Sequence, residues 1–257
     1  MLPQGRSTVC LVPALEGQGR SVMKPLETLG RTRTDDGTEL VLYHRDGSFQ
    51  IRVNGLELMT SRAHGSEDAL ARLACDGLRA AAAPMVLVGG LGMGFSLRAA
   101  LDVLPPAARV EVIEVFPAVV EWCQGPLAHL ASRPLDDPRV SVVVANVATV
   151  VARSSSSFDA VLLDVDNGPD ALTLQANAWL YQRAGLDSIC RVLRPGGVVG
   201  IWSASPDAAF ARRLRQAGLS VRCKTVRARE GKGPTHTIFL GTKDSRRQGQ
   251  AGRRTRR

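Results

Sequence analysis

The sequence predicts an α/β fold: a mostly parallel sheet with helices on both faces, preceded by a small antiparallel β meander. Three observations carry the prediction. The apolar run Met85–Val88 ends in Gly89-Gly90-Leu91-Gly92-Met93-Gly94 and passes into a helical pattern from Phe95. Further apolar runs at Arg109–Ile113, Val140–Val144, Ala160–Leu163 and Gly197–Trp202 alternate with helical patterns, as strands of a parallel sheet do when helices cross between them. Their nearly continuous apolar character fits burial on both faces. The last two β-prone runs, Leu219–Lys224 and His236–Leu240, have only a Gly/Pro-containing loop between them. With no crossover helix they pair antiparallel.

The elements follow in order. Residues 1–25 are rich in Gly, Pro and polar residues and read as a poorly ordered extension. Residues 26–62 form a small β-rich N-terminal domain. Glu39–His44 and Phe49–Val53 are its clearest strands, and Thr34-Asp35-Asp36-Gly37, Arg45-Asp46-Gly47-Ser48 and Asn54-Gly55 are its turns. The main domain spans 63–243 and opens with a helix from Ser66 to Leu78. Ser66 is its expected N-cap, Glu67 and Asp68 suit the first turn, and Leu70, Leu73, Ala74 and Leu78 recur at helical spacing. His64, just before this helix, is placed to face a cleft. Leu193-Arg194-Pro195-Gly196-Gly197 sets the turn into the fifth strand. Residues 244–257 are an Arg-rich tail expected to be disordered.

Composition narrows the function classes. The chain has 257 residues, 44% of them hydrophobic, enough for one large core. No apolar run approaches the ~20 residues of a membrane span, and no basic segment followed by a long apolar run stands at the N-terminus, so a cytoplasmic location is expected. The five cysteines are scattered, without a CxxC pair or a Cys/His cluster, so neither disulfides nor a metal site is expected. The net charge is +9, but six arginines and no acid fall in residues 246–257. The rest of the chain is close to balance, and nucleic acid is expected to be touched only non-specifically, through the tail.

The glycine turn, the helix after it and Glu114 at the end of the next strand together form a nucleoside-binding pattern. Glycines at 89, 90, 92 and 94 let the backbone approach a ligand, and the Glu114 carboxylate accepts ribose hydroxyls. The absence of Gly-Lys-Ser/Thr excludes a phosphate-gripping P-loop. Asn146 follows the third strand, beside Val147, where its amide either meets a purine edge or caps the next helix. Phe158-Asp159-Ala160-Val161-Leu162-Leu163 delivers Asp164 to the carboxyl edge of the fourth strand, with Asp166 and Gly168-Pro169 after it. Paired carboxylates there can hold a cation and accept a proton from an amine; the same residues also suit a plain turn.

A parallel sheet that ends in an antiparallel hairpin resembles the class I fold of the S-adenosylmethionine-dependent methyltransferases. The glycine turn, Val-Ile-Glu114, Asp137-Pro138-Arg139-Val140, and Phe-Asp-Ala-Val-Leu-Leu-Asp164 with Gly168-Pro169 further resemble the spermidine synthase family, over roughly residues 27–243. That resemblance implies decarboxylated S-adenosylmethionine as donor, an amine acceptor such as putrescine, methylthioadenosine as by-product and no metal. It implies Asp164 as proton acceptor, with Glu67, Asp166 and Pro169 at the amine, and a homodimer across which the N-terminal strands could pair. Departures from the family pattern are clear. Gly92 stands where the family has an Asp that holds the donor's amine. Gly65-Ser66-Glu67 replaces Tyr-His-Glu, Asn146 replaces an Asp, and the segment after Asp164 is two residues shorter. Two other readings stay open: a methyltransferase using intact S-adenosylmethionine, and a non-catalytic nucleoside-binding scaffold.

Overall fold

The computed structural model describes residues 25–34, 37–154, 157–165, 178–229 and 232–245. Four strands come first: β1 (Glu27–Arg33), β2 (Glu39–Arg45), β3 (Ser48–Val53) and β4 (Leu56–Thr60). They pair antiparallel in chain order. Of the three predicted turns, the one at 34–37 includes Asp35 and Asp36, which lie outside the described residues. Those at 45–48 and 54–55 are present, with positive φ at Asp46, Gly47, Asn54 and Gly55. Such backbone matches the twist of the flanking strands. Alternation along β3 buries Phe49, Ile51 and Val53 on one face.

The main sheet contains β5 (Met85–Gly89), β6 (Arg109–Glu114), β7 (Val140–Val144), β8 (Phe158–Leu163), β9 (Leu193–Ser203), β10 (Leu219–Arg229) and β11 (Lys232–Lys243). Its order is β10-β11-β9-β8-β5-β6-β7. Neighbours from β7 through β9 are parallel, and β11 runs antiparallel to both β9 and β10. The expected hairpin is therefore present, with its second strand inserted between β9 and its first. The helices are α1 (Gly65–Cys75), α2 (Phe95–Val103), α3 (Pro117–Gln124), α4 (Val147–Arg153), α5 (Arg183–Val192) and α6 (Ala208–Gln216). The sheet order reverses at β5, where β8 and β6 lie on opposite sides. In open α/β sheets ligands bind at such a switch point, beyond the carboxyl ends of the strands.

Two packings position the cleft described below. The buried face of the N-terminal sheet (Leu40, Leu42, Phe49, Ile51, Val53) shares one core with α1, α2, α3 and the main sheet. At Gly30 of β1 an added Cβ would lie 2.5 Å from the Trp122 indole nitrogen of α3, so the two elements touch closely only because residue 30 has no side chain. Helix α1 lies over β9, where Gly200 leaves room for Leu70 and Ala74. Among the described residues no helix is long and apolar enough to cross a membrane. Cys75, Cys123, Cys190 and Cys223 are free thiols.

Candidate active site

A cleft of about 890 Å³, part of it open to solvent, lies over the carboxyl ends of β5, β6 and β8. Gly90, Gly92, Glu114, Asn146, Val147, Asp164 and Glu67 all line it. Two other glycines of the turn do not. Gly89 packs against Val147 and Leu163, and Gly94 faces Pro134 with φ of 85° as it starts α2. Asp166 and Pro169 lie outside the described residues. The sequence pattern did not point to the cleft's opposite wall: Ile51, Leu58 and Met59 of the N-terminal sheet, with Phe116 from α3's entry and Trp202 from β9.

At one end the groups are held by the backbone. Glu114 is 6% exposed. Its Oε2 accepts the Leu91 N–H at 2.8 Å and its Oε1 the Phe116 N–H at 2.9 Å. One side chain thus ties the glycine turn to the start of α3. Burial pushes its carboxyl above the ordinary range, and the backbone N–H groups oppose that rise. Asn146 caps a helix and stands at the cleft. Its Oδ1 accepts the Ala148 N–H at 2.8 Å and caps α4, and the residue lines the cleft. With Oδ1 committed, the amide NH₂ is the part left to meet a ligand. Gly90 has φ of 90°, and a Cβ there would stand 2.2 Å from the Asp164 carbonyl, so only glycine serves.

At the other end two acids approach each other. Ser96 Oγ donates to Asp164 Oδ2 at 2.5 Å, and the same hydroxyl lies 3.4 Å from the Glu67 carbonyl. Ser66 Oγ donates to Glu67 Oε2 at 2.6 Å. Both acids are held above the usual carboxylate range. For Glu67 the causes are burial first and the charge of Asp164 second, with the Ser66 hydroxyl opposing. For Asp164 the cause is burial, opposed by Ser96. Both side chains are only partly covered, so cleft water tempers the rise without changing its sign.

Ser66 is not the N-cap of α1. That position is His64, which makes no side-chain cap bond, and Ser66 sits inside the helix, fully buried. His64 turns from the cleft, stacking on Phe95 at 4.1 Å and pairing with Asp68 at 3.1 Å. Strand β11 contributes a group that no local pattern marks: His236 Nδ1 lies 2.8 Å from Ser66 Oγ, across 170 residues of chain.

The departure at Gly92 has a structural counterpart. Its φ is 54°, and a Cβ would meet the Met59 methyl carbon at 2.8 Å and its sulfur at 3.0 Å. A thioether occupies the space an acid at position 92 would need. Among the described residues that line the cleft, Glu67 and Asp164 are the acids beyond the Glu114 end. No group of three potential metal-ligating side chains occurs among the described residues.

The sheet order, parallel strands closed by an antiparallel hairpin, defines a protein with a class I methyltransferase-like fold. Residues 82–211 match the spermine/spermidine synthase domain, and the chain belongs to that family. It is 36% identical over 123 residues to polyamine aminopropyltransferase 1 of Streptomyces coelicolor, covering 47% of this chain and 22% of that protein. It is 31% identical over 117 residues to putrescine N-methyltransferase 4 of Nicotiana tabacum, covering 44% of this chain and 28% of that one. Under a third of each relative's length is thus matched. The crystal structure of spermidine synthase from Thermotoga maritima superposes with a TM-score of 0.67 at 19% identity, over 84% of this chain and 72% of that one.

Proposed function

We propose that the protein transfers an aminopropyl group from decarboxylated S-adenosylmethionine to an amine acceptor. The observation that carries this reading is the Glu67–Asp164 pair, two cleft acids near enough for the charge of Asp164 to raise Glu67, in the same cleft as Glu114 and Asn146. The adenosine half fits the residues present: Glu114 accepts from the ribose, the Asn146 amide donates to a purine ring nitrogen, and Gly90 gives the backbone clearance. The bound donor supplies a methylene carbon activated by a sulfonium. The acceptor nitrogen forms its new C–N bond there as the C–S bond breaks, and neutral methylthioadenosine leaves.

The protein's contribution is to the nitrogen. An amine must be unprotonated to attack, and the product nitrogen must then shed a proton. Asp164, oriented by Ser96, accepts it, and Glu67 holds the ammonium character of the acceptor near the pair. An approaching cation relieves the mutual repulsion of the two acids, which favours their charged forms. The partial match to polyamine aminopropyltransferases supports the choice of acceptor class.

The test is turnover with putrescine and each donor in turn, read by mass spectrometry. Methylthioadenosine and an aminopropylated amine should form from the decarboxylated donor. Formation of S-adenosylhomocysteine and a methylated amine from the intact donor instead would sink the reading in favour of methyl transfer. Binding without turnover of either would leave the scaffold.

A further inference from the structure

We infer that His236 is a positioning residue for the amine-binding carboxylate, acting on Glu67 through the hydroxyl of Ser66. The inference rests on the amine-holding role proposed for Glu67. Ser66 is 0% exposed, and its oxygen lies 2.6 Å from Glu67 Oε2 and 2.8 Å from His236 Nδ1. A hydroxyl has one hydrogen. When Glu67 is ionised that hydrogen is spent on the carboxylate, so Ser66 accepts from Nδ1–H and the imidazole is held in that tautomer. The three groups form a single directed chain from β11 to the cleft. It fixes one oxygen of Glu67, favours its charged form and leaves the other oxygen for an ammonium.

The fold explains why an imidazole arrives from so far away. At Gly65 a Cβ would lie 3.1 Å from the Arg227 carbonyl oxygen and 3.2 Å from that of Ala228. The β10–β11 hairpin therefore occupies the space beside the first turn of α1, where a large side chain at position 65 has no room. Register places His236 opposite Val226, next to this contact, and the Trp202 ring lies 4.6 Å from the imidazole centroid. The Tyr and His missing from Gly65-Ser66-Glu67 are thus answered from the other end of the domain: the glycine admits the hairpin, and the hairpin supplies the imidazole.

The test uses the full chain and two substitutions. His236→Phe keeps a ring without a donor, and His236→Asn carries an amide N–H in the place of Nδ1. With ¹³C-labelled glutamate carboxyls, His236→Phe should move the Glu67 titration midpoint upward by about half a pH unit, because a donor to the charged form is lost. His236→Asn should restore it. Ser66→Ala, which removes the direct donor to Glu67, should shift the midpoint upward by at least as much. Asp164 and Asp68 are the charges that face Glu67, and none of these variants alters them. In turnover, His236→Phe should raise the KM for putrescine about tenfold, the scale of one weakened charge-assisted bond, while the donor KM stays put; His236→Asn should recover most of it. An unmoved Glu67 midpoint in His236→Phe and Ser66→Ala overturns the inference whether or not the wild type turns over. Equal loss in the Phe and Asn variants also overturns it, by marking a packing role. A wild-type chain that transfers no aminopropyl group, with the midpoint shifts present, refutes the proposed function and upholds the coupling.

Discussion

The two ends of the cleft are built on opposite rules. At the nucleoside end, Glu114 and Asn146 each hold backbone N–H groups of the turns they border. The ligand groups are also the struts of the loops, so this end is preorganised before anything binds. At the other end, Glu67 and Asp164 take their side-chain partners from α1 and α2. They are steadied by two serine hydroxyls and raised above the carboxylate range by burial, with mutual repulsion adding to the rise at Glu67. That end is where the proposed acceptor cation would relieve the repulsion between the acids. The contrast teaches where rigidity and instability reside: backbone contacts brace one end of the cleft, and the buried acid pair at the other end costs stability, as functional sites often do.

The largest effect expected from breaking this contrast is at Asp164. Asp164→Asn should lower kcat by about 10²–10⁴-fold, the usual contribution of a positioned proton acceptor, while methylthioadenosine binding measured calorimetrically is retained. The same substitution should stabilise the protein at alkaline pH. A carboxyl whose folded pKa lies above its unfolded value adds stability at low pH that is lost as pH rises through the folded value. Asparagine has no such loss, so thermal melting at pH 8 should rise by about 3 °C, the equivalent of about 1 kcal/mol for a domain of this size. At pH 4 the two proteins should melt together. A lower melting point for the variant at pH 8 would mean that the acid pair is not under strain. For the wild type, the acid limb of the rate profile should lie above the ordinary Asp value of 3.8, because the base must be ionised to work.

Glu114→Gln tests the other end and should have an intermediate effect. The amide keeps the side chain's shape but can offer only one carbonyl oxygen to Leu91, Phe116 and the ribose together. Methylthioadenosine affinity should fall about tenfold or more, since a charge-assisted bond of roughly 1.5–3 kcal/mol is weakened. The melting temperature should fall with it. Loss of affinity without loss of stability would separate the two jobs that the structure gives to one carboxylate.

The smallest expected effect sharpens the contrast by making the amine end more acidic. Gly92→Asp alone should weaken nucleoside binding, because the Met59 thioether fills the space above residue 92. Paired with Met59→Ala, the aspartate gains room, and its type tolerates a φ of 54° better than most. The double variant should then bind the decarboxylated donor several-fold more tightly than the intact one, on the scale of one exposed charge pair. Equal binding of both donors would show that position 92 does not face the donor's tail.

The same contrast governs what could be read in advance. Gly90, Glu114 and Asn146 stand at strand ends, where spacing alone locates the sheet edge; what spacing could not show is that the Glu114 carboxylate braces the backbone on both sides of the cleft floor. Asp164 was legible for the same reason. Ser66 was misread as an N-cap because a serine before two acids is the ordinary mark of a helix start. In the folded chain its hydroxyl is drawn away by Glu67 and His236. Met59 gave no local sign at all, since a methionine on a short strand is most simply core.

The sequence by itself determined the strand–turn–helix rhythm, the hairpin at the end, the nucleoside pattern and the position of the principal acid, because periodicity and turn chemistry act over a few neighbouring residues. Only the tertiary structure decided that β11 slides between β9 and β10, that a methionine of the N-terminal sheet covers Gly92, and that an imidazole reaches Ser66 across the domain. Those outcomes depend on which side chains are missing at packed contacts, at residues 30, 65, 92 and 200, and close approach between distant backbones is a property of the assembled core rather than of any stretch of chain.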